Sequence, residues 1–293
     1  MKFSWYPGCV AKGAGQELYV STKKAAGVLG IELDEMKEAA CCGAGVNTED
    51  NPVLAKVINA RTFSIAEEKN PNIMTICSTC QGVLRKDQVE LEDDQEMKAR
   101  VNGILKEDIN REYKGDALKI RHLLHVLVEE YGLDKLKEKV KQPLAGLKVA
   151  PFYGCYLLRP TKICDFPDPD NPDYLEKIIM ALGAEVVDFE SKSKCCGFPI
   201  IMMNKENSLR LSGNVIVDAQ TQGADCIVTP CPLCHLNLDP YQPEVASVMN
   251  TKLNMPILHL PQLLCLAFGI PGREIRMNNH IIRPTGKLAE FAG

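Results

Sequence analysis

The chain has 293 residues, of which 45% are hydrophobic and 25% charged, with a formal net charge of -4. That length suggests about two domains, the composition is that of a globular rather than a disordered chain, and the mild acidity excludes a general affinity for nucleic acid or anionic membranes. No run approaches the ~18 apolar residues of a membrane span, and the opening MKFSWYPGC lacks the basic-then-apolar pattern of a secretory leader, so a cytoplasmic protein without membrane insertion is expected.

In chain order, the short apolar run Phe3 to Tyr6 predicts a strand, and a helical pattern follows from Glu17 to Leu29. Ile31 to Leu33 predicts a second strand, Val53 to Glu68 a helix, and Ile73 to Ile76 a third strand. From Val83 to Tyr113 the chain is highly charged, yet Met97, Val101, Ile104, Leu105 and Ile109 keep helical spacing, which predicts an amphipathic helix with a solvated charged face. A helix from about Arg121 to Gly132 closes this half. The second half repeats the order: strands at Leu147 to Tyr153, Glu185 to Phe189 and Asp225 to Thr229, helices near Tyr174 to Leu182 and Ser208 to Gln222, and a closing helix over Leu258 to Gly269. Alternating strands and helices predict α/β modules with parallel sheets, whose functional loops gather at the carboxyl ends of the strands. The tail from Gly272 to Gly293 carries Arg273, Arg276, Arg283 and Lys287. It reads either as a docking segment or as an ordinary terminus.

The chain holds 13 cysteines, and in a reducing compartment metal ligation or redox chemistry is the expected use. Ten of them form a duplicated pattern. The first half has Tyr6-Pro7-Gly8-Cys9, Cys41-Cys42-Gly43 and Cys77-Ser78-Thr79-Cys80; the second has Tyr153-Gly154-Cys155, Cys195-Cys196-Gly197 and Cys231-Pro232-Leu233-Cys234. From Cys42 to Cys77 is 35 positions, and from Cys196 to Cys231 again 35. The spacing differs between Cys9 and Cys41 (32) and Cys155 and Cys195 (40), where a Pro- and Asp-rich run after Cys164 reads as an inserted surface loop. The duplication divides the chain into residues 1–143 and 144–293. Every cysteine motif follows a predicted strand, which would bring the motifs of one repeat to one sheet edge.

A lone C-x-x-C is open between zinc, thiol redox chemistry and iron–sulfur ligation. Structural zinc takes four tetrahedral ligands, so five cysteines per repeat exceed it by one, and adjacent cysteines suit a centre with several metal atoms better than a mononuclear site. Iron–sulfur ligation is therefore the first reading, with zinc and metal-free thiol chemistry as alternatives. Gly43, Gly45 and Gly197 can turn backbone N–H groups toward an anionic centre, or merely make tight turns. There is no ferredoxin-type cysteine run and no dinucleotide fingerprint, so electrons are expected from another subunit. Cys226 and Cys265 lie in apolar runs and read as core residues, while Cys164 sits in the inserted loop. His235 reads as structural rather than as a ligand, and His122 and His259, on apolar helices, as core packing.

With those motifs in place, the chain resembles the cysteine-rich CCG domain family, and as two such domains it looks like the B subunits of heterodisulfide reductase; the iron–sulfur subunit of glycolate oxidase, lactate-utilisation proteins and thiol-driven fumarate reductase carry the same motifs. The resemblance covers essentially residues 1 to 270. It implies two noncubane 4Fe-4S clusters, one on Cys9, Cys41, Cys42, Cys77 and Cys80 and the other on Cys155, Cys195, Cys196, Cys231 and Cys234, in two CCG domains related by pseudo-twofold symmetry. It further implies reduction of the mixed disulfide of coenzyme M and coenzyme B at a shared pocket. The implied partners are a ferredoxin-like iron–sulfur subunit and a flavin-containing subunit, with a hydrogenase or formate dehydrogenase behind them. A substrate with a sulfonate and a phosphate needs basic groups, for which Lys12, Arg159, Lys192, Lys194 and Lys205 are the candidates; surface charge is the plainer account of each. Two rival readings remain: an electron-transfer subunit for lactate or glycolate oxidation, and a zinc-stabilised scaffold.

Overall fold

A computed structural model describes residues 1–115 and 117–293. The first half runs β1 (Lys2–Tyr6), α1 (Cys9–Lys12), α2 (Gln16–Leu29), β2 (Glu32–Glu35), α3 (Val46–Asp50), α4 (Pro52–Lys69), β3 (Asn72–Thr75), α5 (Ser78–Asp93), α6 (Gln95–Ile109), β4 (Lys119–His122) and α7 (Leu123–His125), which continues as a π-helical turn to Tyr131, then α8 (Leu133–Lys137). The second half has β5 (Lys148–Pro151), α9 (Tyr174–Ala181), β6 (Glu185–Val186), α10 (Lys205–Thr221), β7 (Cys226–Thr229), α11 (Pro232–Leu238), α12 (Gln242–Val248), β8 (Ile257–His259), α13 (Leu260–Ala267) and α14 (Gly286–Ala292).

The two sheets are four-stranded, all parallel, and ordered alike: β2-β1-β3-β4 and β6-β5-β7-β8. The expected class therefore holds, with one strand more per module than the sequence pattern indicates. The edge strands β4 and β8 occupy what reads as the start of each closing helix. His122 and His259 are thus strand-end residues at helix N-caps, not helical ones. The charged stretch expected as one amphipathic helix forms two, because Asp94 caps α6 by accepting the N–H of Met97 at 2.9 Å. Val101 and Leu105 are buried, while Ile109 is exposed. The expected strand Glu185 to Phe189 pairs only over Glu185–Val186 and then turns into a 3-10 segment, Glu190–Ser193.

Central strands are apolar on both faces, as two-sided burial requires: β7 is wholly buried, as are four of the five residues of β1. Gly30 caps the end of α2, its left-handed backbone letting its N–H reach the carbonyls of Ala26 and Gly27. One apolar core runs through both halves, joining Phe3, Trp5, Leu18 and Leu29 to Val149, Tyr153, Leu258 and Leu264. Contacts between the modules are reciprocal. α2 of the first packs on α13 of the second, and α9 of the second packs on α7 and the π turn of the first. Likewise α1, after the first cysteine, touches α11, while Tyr156, after Cys155, sits against Gly82 of α5.

The inserted loop is not purely a surface feature. Phe166 is buried among His125, Tyr153 and Tyr174, and the buried Cys164 thiol donates to the carbonyl of Tyr156 at 3.4 Å. Cys226 and Cys265 are core residues as expected. The tail folds back onto the second module: Ile281 and Ile282 donate their N–H groups to Asp239, and His280 and Leu288 are buried.

Candidate metal centre

In each module the three cysteine segments leave the carboxyl ends of neighbouring strands. Cys9 follows β1, Cys41 and Cys42 follow the loop after β2, and Cys77 and Cys80 follow β3 at the start of α5; β5, β6 and β7 place the second set in the same way. Cys77 sits at the N-cap of α5, where its sulfur accepts the N–H of Cys80 at 3.4 Å. Thr75 and Thr229, the last residues of β3 and β7, accept the N–H groups of Cys77 and Cys231 and fix the turn into each motif.

All five cysteines of the first module line one cavity of 130 Å³, together with apolar residues that include Phe198 and Leu233 of the second. Their sulfurs are close: Cys9 to Cys41 is 3.5 Å and Cys42 to Cys80 is 3.7 Å. Gly8 approaches the set with φ 79° and ψ 164°, and a Cβ there would lie 3.1 Å from the Cys80 sulfur; at Gly154 it would lie 2.9 Å from that of Cys234. The glycines after the paired cysteines also face sulfur, Gly43 N–H donating to Cys41 at 3.5 Å and Gly197 N–H to Cys195 at 3.3 Å. Of the three glycines expected to turn N–H groups toward an anionic centre, Gly43 and Gly197 do so and Gly45 has no sulfur contact among the described residues.

So many thiols cannot all ionise without a counter-charge. Hydrogen bonds from Cys42 and Cys9, with help from Gly43, hold the Cys41 thiol down to about 2, and the same bond from the other side pushes Cys42 up to about 12. Cys195 is held down to about 2 by Cys155 and Cys196. Cys9 and Cys155 are pushed well up by their bonds to Cys41 and Cys195, and Cys77, Cys80 and Cys234 are raised by neighbouring thiols and burial. Such a set suits a polynuclear cationic centre, whose charge offsets both desolvation and mutual repulsion. The donors are soft, five in number and lodged around one cavity, which fits an iron–sulfur cluster and exceeds a tetrahedral zinc site.

The two sets meet across the module interface. The Thr79 hydroxyl of the first module lies 3.5 Å from the Cys231 sulfur of the second, and the Cys77 and Cys231 thiols are near enough to shift each other's ionisation, Cys77 upward and Cys231 downward. The carbonyls behind the paired cysteines are tethered from the helices: Asn59 donates to Cys42 at 3.1 Å, and Asn237 with Ser212 donates to Cys196 at 2.7 and 2.8 Å. None of Thr79, Asn59 and Asn237 stands out in the sequence, because their roles arise from partners more than 15 positions away.

The five candidate cations are all ion-paired. Lys12 meets Glu35 at 3.3 Å, Arg159 meets Asp170 at 3.7 Å, Lys192 meets Glu176 at 2.9 Å, Lys194 meets Glu190 at 3.9 Å and Lys205 meets Glu244 at 2.7 Å. Lys12 lines a hollow with Cys9 and Cys41, and Lys194 one with Cys195; the other three do not share a hollow with a cluster cysteine among those described. His235 faces away from the cysteines, stacking on His259 at 4.0 Å with its Nε2 3.1 Å from the carbonyl of Ile257.

The cysteine-rich CCG domain matches the sequence twice, over residues 3–85 and 149–239. The chain belongs to the cysteine-rich CCG domain family. Among the relatives of this CCG protein, the 8-methylmenaquinol:fumarate reductase membrane anchor subunit of Wolinella succinogenes is 40% identical over 97% of this chain and 98% of its own length. The B subunit of the ferredoxin/F420H2-dependent CoB-CoM heterodisulfide reductase of Methanosarcina acetivorans is 33% identical over 99% of this chain and 97% of its own. The fold is shared with a hypothetical protein from Helicobacter pylori at a TM-score of 0.77 and 14% identity; the match covers 97% of this chain and 52% of that longer one. These relatives and the cysteine sets together support an iron–sulfur reductase subunit. No described helix is long and apolar enough to cross a membrane.

Proposed function

We propose that the two modules, residues 1–143 and 144–293, each hold one noncubane 4Fe-4S cluster on their five cysteines, and that the chain is the catalytic subunit reducing the mixed disulfide of coenzyme M and coenzyme B to two thiols. The observation that carries this reading is the approach of the two cysteine sets at Cys231, whose sulfur lies 3.5 Å from the hydroxyl of Thr79, the residue between Cys77 and Cys80. Reducing a disulfide consumes two electrons, and bound iron–sulfur clusters supply electrons singly. The chain's own residues prepare the site: Gly43 and Gly197 steady thiolates with their N–H groups, and Phe198 and Leu233 of the second module add apolar walls to the first module's cavity. The electrons would come from a ferredoxin-like iron–sulfur subunit and a flavin-containing subunit.

A second reading makes the chain an electron carrier within a reductase complex, never itself meeting a disulfide. It is favoured by the 40% identity to the fumarate reductase subunit and by the ion pairing of all five candidate cations. Iron and acid-labile sulfide measured on anaerobically prepared protein test both, at about eight of each per chain. Electron paramagnetic resonance with added mixed disulfide then separates them: a signal that changes supports the disulfide reading, and an unchanged signal on loaded protein supports the carrier. Zinc in place of iron sinks both.

A further inference from the structure

Hydrogen bonds between the two cysteine edges run in one direction. The carbonyl of Pro230, just before Cys231, receives the Ser78 hydroxyl at 3.3 Å and His122 Nε2 at 3.0 Å, and the Thr79 hydroxyl meets the Cys231 sulfur at 3.5 Å. All three donors belong to the first module and are buried. The repeat places Pro232, Leu233 and His259 at the corresponding positions of the second. Proline and leucine carry no side-chain donor, and His259 Nε2 faces Glu17 at 3.5 Å instead of a loop carbonyl. Leu233 lines one cavity with Cys77, as the counterpart of Thr79, which touches Cys231.

We propose that Thr79 makes the two metal centres electronically unequal: its hydroxyl donates to the Cys231 sulfur and raises the reduction potential of the second module's centre. This rests on the reading that Cys231 is an iron–sulfur ligand. A ligating thiolate has no proton, so Thr79 is the donor in that contact. A hydrogen bond to a ligand sulfur withdraws charge from it and stabilises the more negative, reduced state. At these two counterpart sulfurs the hydrogen bond and not solvent makes the difference, since Cys231 is 2% exposed and Cys77 3%; elsewhere Cys9 and Cys41 are exposed and Cys155 and Cys195 half-buried, so the hydroxyl's effect is read from the variants and not from the wild-type order of potentials. The hydroxyl thus favours an electron on the second module's centre relative to the same centre without it.

The test is a redox titration of the anaerobic, iron-loaded full chain followed by electron paramagnetic resonance. Wild type should show two midpoint potentials. Thr79→Val, which keeps shape and removes the hydroxyl, should lower one of them and leave the other and the iron content unchanged; Thr79→Ser should keep the wild-type pair. Leu233→Thr, which offers Cys77 the missing donor, should raise the other potential and also decides the matter if Thr79→Val loads less iron. Iron-loaded wild type whose potentials ignore all three substitutions overturns this proposal alone. Wild type that binds no iron overturns the underlying reading as well.

Discussion

Gly8→Ala is expected to empty the first module of iron while leaving the protein folded. Gly8 has φ 79° and ψ 164°, a region essentially confined to glycine, so alanine there costs about 1–3 kcal/mol. The added methyl would lie 3.1 Å from the Cys80 sulfur, closer than the ~3.5–4.0 Å at which non-bonded heavy atoms rest. Cys80 is buried in the first turn of α5 and cannot swing away without dragging the helix start. Gly30→Ala is the control: Gly30 is also left-handed, at φ 67° and ψ 29°, yet nothing lies within 4 Å of its Cβ position, so only strain of about 1–2 kcal/mol follows. At roughly 2 °C per kcal/mol for a chain of this size, both variants should lose a few degrees in Tm. Iron and acid-labile sulfide should fall to half in Gly8→Ala alone. Full iron in that variant, with wild-type spectra, would refute the reasoning that this glycine exists to let the backbone reach the sulfur.

Asn59→Ala removes hydrogen bonds to the Cys42 carbonyl and, at 2.6 Å, to the buried Asp87 carboxylate, and should cost about 2–3 kcal/mol in chemical denaturation. Burial pushes the Asp239 carboxyl up to about 6, against an ordinary 3.8, so the fold favours its neutral form. Its stabilising contribution is complete below about pH 4, declines as pH rises to about 6 and is level above. Wild type should accordingly gain stability relative to Asp239→Asn when both are moved from pH 7 to pH 5, and a difference independent of pH would contradict this. Lys12→Gln breaks only a partly exposed pair with Glu35, worth less than about 1 kcal/mol. If the hollow it shares with Cys9 and Cys41 admits an anionic disulfide, KM for that disulfide rises while kcat with an artificial reductant and the iron content stay put.

The cysteine register was legible because ten cysteines recur in the same order and the 35-position interval survives in both halves. Parallel α/β layering was legible too, since central strands such as Cys226–Thr229 are apolar without alternation. The edge strands were not: Ile257–His259 is too short to show a period and runs straight into Leu260, so its apolar residues merge with those of the helix. Asp94, one charge among many between Val83 and Tyr113, hides a helix break that only its cap geometry reveals. The fate of the charged candidates was beyond reach for a different reason. Whether Lys192 faces a pocket or pairs with Glu176 depends on where α9 lies in space, and no local pattern encodes that.

The packing of α2 against α13 sets an order of events during synthesis. α2 ends at Leu29 and its partner begins at Leu260, so this seam cannot close until α13 itself has been made. Until then Phe3, Trp5 and Leu18 lack the second half of their shared core, and the loops carrying Cys9 and Cys41 lie at an unfinished wall. α13 then closes the seam, driven home by burial of the apolar surface that holds the two halves together.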